Sequence, residues 1–315
     1  MSDLLLTALA PVIWGSSYIV ISQFLPEGYP LTITTLRALP AGLLLLLLGR
    51  RLPWGIWWFR AVILGGLNFS LFWALLFISA YRLPGGVAAT LGNFQPPIVI
   101  LLAYLLLGTP IRLRSVLAIF AGVSGVALLV LTPVTNLDPI GIVAALGSAA
   151  SMATGIVLTR RWQPPVSLPS FTAWQLMAGG LLLMPFALVL EPHRPDFTWV
   201  NIAGISWLSL AGAALSCLLW FRGLSRLEAS VVSSLGFLSP LTAVFLGWIF
   251  LGQNLTPWQL LGAGLVLGSI WLNQRTYRPA PRPSALPKTE DAALESHAVD
   301  TPVTSQPRAN ISLKL

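Results

Sequence analysis

Apolar residues run along this chain in ten stretches of about 20, separated by short links of turn-forming and charged residues. An α-helix needs a stretch of this length to cross a bilayer. The stretches are almost continuously apolar, whereas a membrane-spanning β-strand alternates apolar and polar residues. The pattern therefore predicts an all-α integral membrane protein with ten transmembrane helices. The predicted helices cover residues 4–24, 31–49, 59–80, 85–108, 114–132, 139–159, 168–190, 199–221, 228–252 and 258–274.

The composition indicates that lipid surrounds most of the chain. Hydrophobic residues make up 56% of the 315 and charged residues 9%, whereas about a quarter of an average soluble domain is charged. So few charges cannot cover the surface of a water-soluble protein of this size, which excludes a soluble enzyme and a disordered scaffold. The net charge of +8 does not indicate a nucleic-acid partner, because the basic residues lie in ones and twos beside the apolar stretches or in the C-terminal tail.

The arginines predict the orientation, since cytoplasmic links carry an excess of basic residues. With the N-terminus in the cytoplasm, the inner links contain nine arginines and the outer links contain two, Arg82 and Arg194. Both termini are therefore predicted to be cytoplasmic. Residues 276–315 are rich in Pro, Ser, Thr and Ala without apolar periodicity, which predicts a disordered cytoplasmic tail.

An internal repeat runs through the apolar part of the chain. After a shift of 144 residues, positions 82–108 align with 226–252 without a gap, and nine of the 27 pairs are identical, including an arginine, two glycines and a proline. A weaker match aligns the stretch that begins at Arg37 with the one that begins at Gln175. The chain is thus predicted to contain two copies of one structural unit.

Each copy contains five predicted helices, so we expect a first repeat at 1–133 and a second at 134–275. Because five is odd, the second repeat enters the bilayer from the opposite side. Inverted repeats of this kind can rock around a shared site near the midplane and expose it to each side of the membrane in turn. The architecture predicts a carrier.

Several motifs resemble a known family. They are Trp-Gly-Ser-Ser at 14–17, Arg-Leu-Pro-Gly-Gly-Val-Ala at 82–88 with its echo at 226–232, and the stretch 251–262. Together these motifs resemble the EamA-type branch of the drug/metabolite transporter superfamily, over about residues 4–274. The resemblance implies ten helices, cytoplasmic termini and export of small metabolites, often amino acids, and we expect a bacterial inner membrane. Gln253 departs from the family pattern, in which Glu commonly follows the Leu-Gly pair.

Groups for catalysis or metal binding are missing from the predicted membrane interior. No Asp, Glu or His lies well inside a predicted span, which argues against an enzyme, a metal site or a cofactor. Proton-driven carriers usually have such a group as a relay. We therefore expect movement of the substrate down its own gradient, or coupling through a group that the sequence does not identify.

Arg37 is the one charge predicted to lie inside a span, about 9 Å from the outer end of the second helix. Two interpretations stay open. The side chain can snorkel to the outer headgroups, or it can bind the carboxylate of a substrate.

Two prolines break the backbone hydrogen bonding in the middle of the fourth predicted span, because proline lacks the N–H. Freed carbonyls at membrane depth are tolerated where they line a cavity or contact another helix. The same region of the second repeat contains one proline. We expect either structural kinks or a wall of the substrate site at these residues: Asn93, Gln95, Pro96 and Pro97 in the fourth span, and Ser234, Phe237 and Pro240 in the ninth.

Aromatic side chains at mid-depth can stack on a ligand, although they more often form part of the core. With neighbouring amides they complete the predicted substrate site. The remaining candidates are Trp14, Tyr18, Asn68, Phe72, Trp174, Gln175 and Trp220.

The predicted function is export of a small metabolite by alternating access, with an aromatic or apolar amino acid as the expected substrate. The partners are that small molecule and the lipid bilayer. One alternative is a carrier for drugs, sugars or nucleotide-linked sugars, although large anionic cargo should require more interior cations than Arg37 alone. Another is a membrane receptor or assembly protein that does not transport.

Overall fold

The structure, a computed structural model, describes residues 2–26, 28–83, 85–130, 138–163, 166–192, 196–252 and 256–276. At residues 18, 80, 81, 85, 86, 89 and 276 it describes the backbone alone. Gln253 and the predicted tail beyond Thr276 lie outside the described residues.

All regular structure in the described residues is helical. This confirms the predicted all-α membrane fold, in which each apolar segment pairs its backbone groups internally because lipid offers no other partner. The elements are α1 (Ser2–Phe24), α2 (Pro30–Gly49), α3 (Trp57–Gly65), the π-helical π1 (Gly66–Ser70), α4 (Leu71–Arg82), α5 (Gly85–Gly92), α6 (Gln95–Leu107), α7 (Leu113–Val130), α8 (Pro139–Arg161), α9 (Leu168–Leu190), α10 (Trp199–Ser209), the π-helical π2 (Leu210–Leu215), α11 (Ser216–Arg226), α12 (Ala229–Leu235), α13 (Leu238–Leu251) and α14 (Pro257–Thr276).

Nine of the described helical stretches are long and apolar enough to cross a membrane. In chain order we call them span 1 (α1), span 2 (α2), span 3 (α3, π1 and α4), span 4 (α5 and α6), span 5 (α7), span 6 (α8), span 7 (α9), span 8 (α10, π2 and α11) and span 9 (α12 and α13). The tenth predicted helix corresponds to α14, which has 20 residues. It is less apolar than the others because Gln259, Asn273 and Arg275 lie near its ends.

Helices α2 and α9 pack side by side in opposite directions. A Cβ on Gly42 would lie 2.9 Å from Cγ of Met177, and Gly49, further along α2, lies against Ser170, which is earlier in α9. At the other end of the pair, the Glu191 carboxylate accepts hydrogen bonds from the first backbone N–H groups of α2, at 2.8 Å each. The two helices therefore align over their full length.

Helices α7 and α14 form a second antiparallel pair. A Cβ on Gly125 would lie 2.8 Å from the carbonyl oxygen of Gly262, and one on Gly122 would lie 2.7 Å from Oγ of Ser269. The Gln259 side chain donates to the carbonyl of Leu129, 3.2 Å away. Because α7 is an apolar span, α14 lies beside a membrane-spanning helix along most of its length.

The remaining neighbours form two matching sets. Span 1 packs against spans 8 and 9, and span 6 packs against spans 3 and 4. If span 6 is the counterpart of span 1, then spans 3 and 4 are the counterparts of spans 8 and 9, and the two sets of neighbours match. The core between these helices contains small and branched residues such as Ala153, Val157 and Ala213, which are at most 1% exposed.

The glycine contact between α7 and α14 predicts a selective effect of added volume. A Gly262→Leu substitution should lower the free energy of unfolding by about 1–3 kcal/mol, because the new side chain overlaps the backbone of α7. Gly264→Leu is the matched control, since no atom lies within 4 Å of a Cβ at that position. Thermal unfolding in detergent measures both, and equal unfolding midpoints for the two variants would contradict the packing described here.

Candidate functional site

Two short π-helical segments interrupt spans 3 and 8. They begin at Gly66 and at Leu210, which is the same 144-residue offset that aligns Arg82 with Arg226. Asn68 is the twelfth of the 23 residues of Trp57–Ser79, and Gly212 is the fourteenth of the 28 residues of Trp199–Arg226. Both segments therefore lie at mid-span, where a π-turn disturbs the regular hydrogen bonding of the helix.

The π2 segment is bound by an arginine from the other half of the chain. Arg37 on α2 donates from Nη2 to the carbonyl oxygen of Gly212 at 2.5 Å. Its guanidinium carbon lies 5.6 Å from the centre of the Trp73 ring, a cation–π distance. Because Gly212 lies at mid-span, this contact favours a buried guanidinium over one that snorkels to the outer headgroups.

Two tryptophans and a serine complete this group, which we call the Arg37 cluster: Trp14, Arg37, Trp73, Gly212, Ser216 and Trp220. The Ser216 hydroxyl donates to the Gly212 carbonyl at 2.8 Å and accepts from the indole N–H of Trp14, also at 2.8 Å. The Trp14 and Trp220 rings lie 5.0 Å apart and are tilted by 54°. The cluster thus combines a cation with an aromatic surface.

The π1 segment is bound in a related way from the second half. The Ser151 hydroxyl of α8 donates to the carbonyl of Leu67 at 2.8 Å. The Asn68 amide donates to Oε1 of Gln175 at 2.8 Å and to the Thr159 hydroxyl at 3.3 Å. Gln175 is the residue that the sequence repeat aligns with Arg37. Each of the two aligned side chains therefore contacts a mid-span π-segment: the cationic Arg37 contacts π2 and the neutral Gln175 contacts π1.

Asn68 and Gln175 are buried, at 2% and 0% exposure. Asn68 Oδ1 points at Gly155 of α8, in space that a Cβ would fill. These two predicted site residues contact each other and are shielded from solvent in this conformation.

Trp174 lies apart from both groups although it is next to Gln175 in sequence. Its indole N–H donates to the carbonyl of Arg51 at 2.7 Å, and its ring packs against Trp54 and Trp57 at 5.7 and 6.3 Å. The contacts attach α9 to the link between spans 2 and 3. Trp174 therefore anchors a helix end in this conformation.

Span 4 is interrupted by a turn at Asn93 and Phe94, immediately before the two prolines. Pro96 and Pro97 occupy the first turn of α6, where their missing N–H groups cost no helical hydrogen bond. Asn93, Gln95 and Pro97 are half-buried, whereas Pro96 is buried. This break leaves two polar side chains partly accessible at the middle of the span.

Span 9 has the corresponding interruption at Gly236 and Phe237, with Pro240 in the first turn of α13. Here the surroundings are closed. Phe237 is 0% exposed and fills the space beside Gly122, and the Ser234 hydroxyl, 1% exposed, donates to the Val231 carbonyl at 2.8 Å. The two breaks thus have similar backbones, but the polar side chains at the break in span 4 are partly exposed and those at the break in span 9 are buried.

Two other candidates contribute less to the geometry. Phe72 is half-buried on α4, one residue before Trp73 of the Arg37 cluster. Tyr18 lies on α1, one turn after Trp14, and its side chain lies outside the described part of the chain.

Two acidic residues outside the spans have shifted pKa values. Burial raises the pKa of Glu228, between spans 8 and 9, while Arg112 and Arg160 act to lower it. The hydrogen bond from Arg82 lowers the pKa of Asp138, which precedes α8. Within the described residues, no group of three His, Cys, Asp or Glu side chains is arranged to hold a metal ion.

The sequence pattern missed the residues that bind the two π-segments. Trp73, Ser151, Thr159 and Ser216 are ordinary residues of apolar helices, and nothing in their spacing distinguishes them. The repeat alignment carries a usable signal, because it pairs Arg37 with Gln175, and each of these side chains contacts a π-segment.

Apolar spans that are interrupted at mid-depth and held by polar side chains from other spans are typical of membrane transporters. The sequence profile of the EamA-like transporter family matches residues 1–131 and 139–274. The chain therefore belongs to the EamA-like transporter family, which confirms the resemblance seen in its motifs.

Similar proteins agree with this assignment. Protein PecM of Dickeya dadantii is 43% identical over 267 residues, which cover 84% of this chain and 90% of PecM. The uncharacterized transporter YvbV of Bacillus subtilis is 30% identical over 299 residues, which cover 92% of this chain and 96% of YvbV. A crystal structure with a TM-score of 0.75 and 17% identity covers 88% of this chain and 99% of its own, and it shares the fold.

The contact between Asn68 and Gly155 predicts that even one methyl group disturbs π1. Gly155→Ala should lower the free energy of unfolding by about 1–3 kcal/mol, because it displaces the Asn68 amide from buried partners. Gly147→Ala on the same helix is the control, since its nearest neighbour is the flexible end of Leu75. Thermal unfolding of both variants in detergent measures the difference.

A double variant tests whether the clash with Asn68 causes the loss of stability in Gly155→Ala. If the clash with Asn68 is responsible, Gly155→Ala should cost less in an Asn68→Ala background than alone. Additive losses would show that the amide is not what the methyl group displaces.

Proposed function

We propose that this protein is a carrier that exports a small metabolite, with an aromatic or apolar amino acid as substrate, by alternating access between two inverted repeats. The observation that carries the proposal is the pair of mid-span π-segments at repeat-related positions. Each is bound by polar side chains from the opposite half of the chain. A substrate bound between the halves would lie beside both segments.

Several contacts support ten crossings arranged as two inverted repeats, 1–133 and 134–275. The antiparallel pairs of α2 with α9 and of α7 with α14 are those expected if span 7 is the counterpart of span 2, and the tenth predicted helix (α14) that of span 5, on a two-fold axis in the membrane plane. The neighbour sets of spans 1 and 6 match in the same way. The family profile also matches two stretches, and these nearly coincide with the proposed repeats.

The proposed orientation places both termini in the cytoplasm of a bacterium, with the spans in its inner (plasma) membrane. The excess of arginines in the inner links supports it. The two similar proteins described above come from bacteria, in agreement with this location. A disordered cytoplasmic tail at 276–315 completes the arrangement.

Arg37 is the proposed partner of the substrate carboxylate. It lies at mid-depth, where a hydrogen bond between ions is stronger than in water because the surroundings are less polar. Trp14 of the same cluster offers an aromatic surface for an apolar side chain, and the buried Trp220 packs behind it. Tyr18, Phe72, Asn93 and Gln95 complete the proposed wall on the side of spans 1, 3 and 4.

The other candidates support this wall from behind. They are at most 3% exposed, so in this conformation they position helices and do not reach a ligand directly. Ligand contact by any of them would require the spans to separate. This group comprises Asn68, Trp174, Gln175, Ser234 and Phe237, with Pro96, Pro97 and Pro240 as the proposed kinks.

The charges suggest how transport is driven. The described acidic residues lie at helix ends or in links, so no carboxylate near the midplane is available among them as a proton relay. We propose movement of the substrate down its own gradient.

Removing the Arg37 charge should affect substrates according to their carboxylate. In proteoliposomes, Arg37→Gln should raise the KM for tryptophan at least tenfold, because a hydrogen bond between charged groups is lost. Tryptamine, which has the same ring and no carboxylate, should be carried as before. Exchange of radiolabelled substrate across the vesicle membrane gives both values.

Arg161→Gln is the control, since this exposed arginine lies at a helix end outside the proposed site. A panel with glucose and a nucleotide-linked sugar tests the alternative cargo. Equal losses for tryptophan and tryptamine in Arg37→Gln would contradict a role in carboxylate binding. Absence of flux for every compound in the parent protein would contradict the carrier itself.

A further inference from the structure

Ion pairs join the first helix of one repeat to the third span of the other. Asp3, in the first turn of α1, binds Arg222 at 2.7 Å and Arg226 at 3.2 Å, both at the end of α11. Asp138, directly before α8, binds Arg82 at 2.9 Å at the end of α4. Each aspartate also lies at a helix N-terminus, and Arg82 and Arg226 lie in the last turns of their helices, where the helix dipoles favour these charges.

The two connections are counterparts under the internal repeat. Arg82 and Arg226 are one of the identical pairs in the 144-residue alignment. The helices that end at these arginines continue in the same extended geometry, with φ of −120° at Leu83 and −111° at Leu227. The two aspartates correspond because each opens the first helix of its repeat.

Tight packing accompanies each ion pair. A Cβ on Gly141 of α8 would lie 2.7 Å from Cγ of Leu83. Thr7 of α1 contacts Gly223 of α11 in the same close manner. Each junction is therefore a place where two helix ends meet without space between them.

In the proposed orientation the Asp3 junction lies at the cytoplasmic face and the Asp138 junction at the outer face. We propose that these junctions are a pair of locks, and that each must open when the substrate site faces its side of the membrane. The direction of alternation rests on the proposed function. The repeat relation of the two ion pairs does not.

The two locks differ in strength. Asp3 binds two arginines, whereas Asp138 binds one. Behind the cytoplasmic lock Ser234 and Leu235 at the end of α12 are buried, whereas the aligned Thr90 and Leu91 of α5 are half-buried. The Asp3 junction thus has one more ion pair than the Asp138 junction and more deeply buried residues behind it in this conformation.

The outer lock remains charged at neutral pH, because the Arg82 guanidinium and the backbone N–H of Ile140 keep the pKa of Asp138 below its ordinary value. Exposed ion pairs of this kind change an equilibrium by only about two- to fivefold. Each lock therefore shifts the equilibrium between the inward-facing and outward-facing conformations, and does not by itself prevent their exchange.

Thiol labelling of intact membranes tests the locks directly. The chain has one cysteine, so Cys217→Ala gives a cysteine-free background. Ala88→Cys and Val232→Cys are matched reporters, since they are 144 residues apart and are 4% and 0% exposed. An impermeant maleimide is applied to the outer face for the first reporter and, in inverted vesicles, to the cytoplasmic face for the second.

Asp3→Asn should raise the labelling rate at position 232 about threefold and lower it at position 88. Asp138→Asn should do the opposite, and its amide oxygen can still cap α8. Arg82→Gln should match Asp138→Asn, with no further gain in the double variant. Rates that stay unchanged, or that rise at both reporters in one variant, would overturn the proposal.

The labelling needs no substrate, so it is independent of the flux measurements. Reciprocal labelling without flux would retain the locks and reject the carrier. Flux without reciprocal labelling would retain the carrier and reject the locks.

Discussion

A helix in lipid has no water to bind a displaced backbone carbonyl, and this constraint governs the centre of the molecule. Spans 3 and 8 both contain a π-helical segment at mid-depth, so each needs hydrogen-bond donors from another helix. Arg37 supplies one for Gly212 and Ser151 supplies one for Leu67, and Ser216, in the same span as Gly212, also donates to the Gly212 carbonyl. Several buried polar side chains of the interior are therefore arranged around these two segments.

The two segments have similar backbones and different partners. The repeat aligns Arg37 with Gln175, so one half presents a cation at the midplane and the other a neutral amide paired with Asn68. Such an asymmetric centre suits a ligand with a charged end and an apolar end. It also explains why one polar group is accessible enough to form part of a site while the other holds helices together.

Much of the fold could be predicted from the sequence, because the length and continuity of apolar runs depend directly on the thickness of the bilayer. The two-repeat arrangement, inferred from identities that begin at Arg82, stays a prediction. The π-segments could not be predicted, since sequences such as 66–70 and 210–215 are compatible with a regular helix. The pairing of Asn68 with Thr159 and Gln175 depends on Gly155, whose contact is set by the tertiary packing of α8. Trp174 was a predicted ligand contact because it is next to Gln175 in sequence. Its contact with the Arg51 carbonyl could not be predicted, because it depends on how the link between spans 2 and 3 folds.

The central claim is that the two halves lie in the membrane in opposite senses, and the location of two chain positions tests it most directly. Alkaline phosphatase is active only outside the cytoplasm, so it is fused after residue 133 or after residue 276. The account predicts activity for the first fusion and none for the second. Activity in both fusions, or in neither, would place the ends of the two halves on the same face and contradict the inverted arrangement.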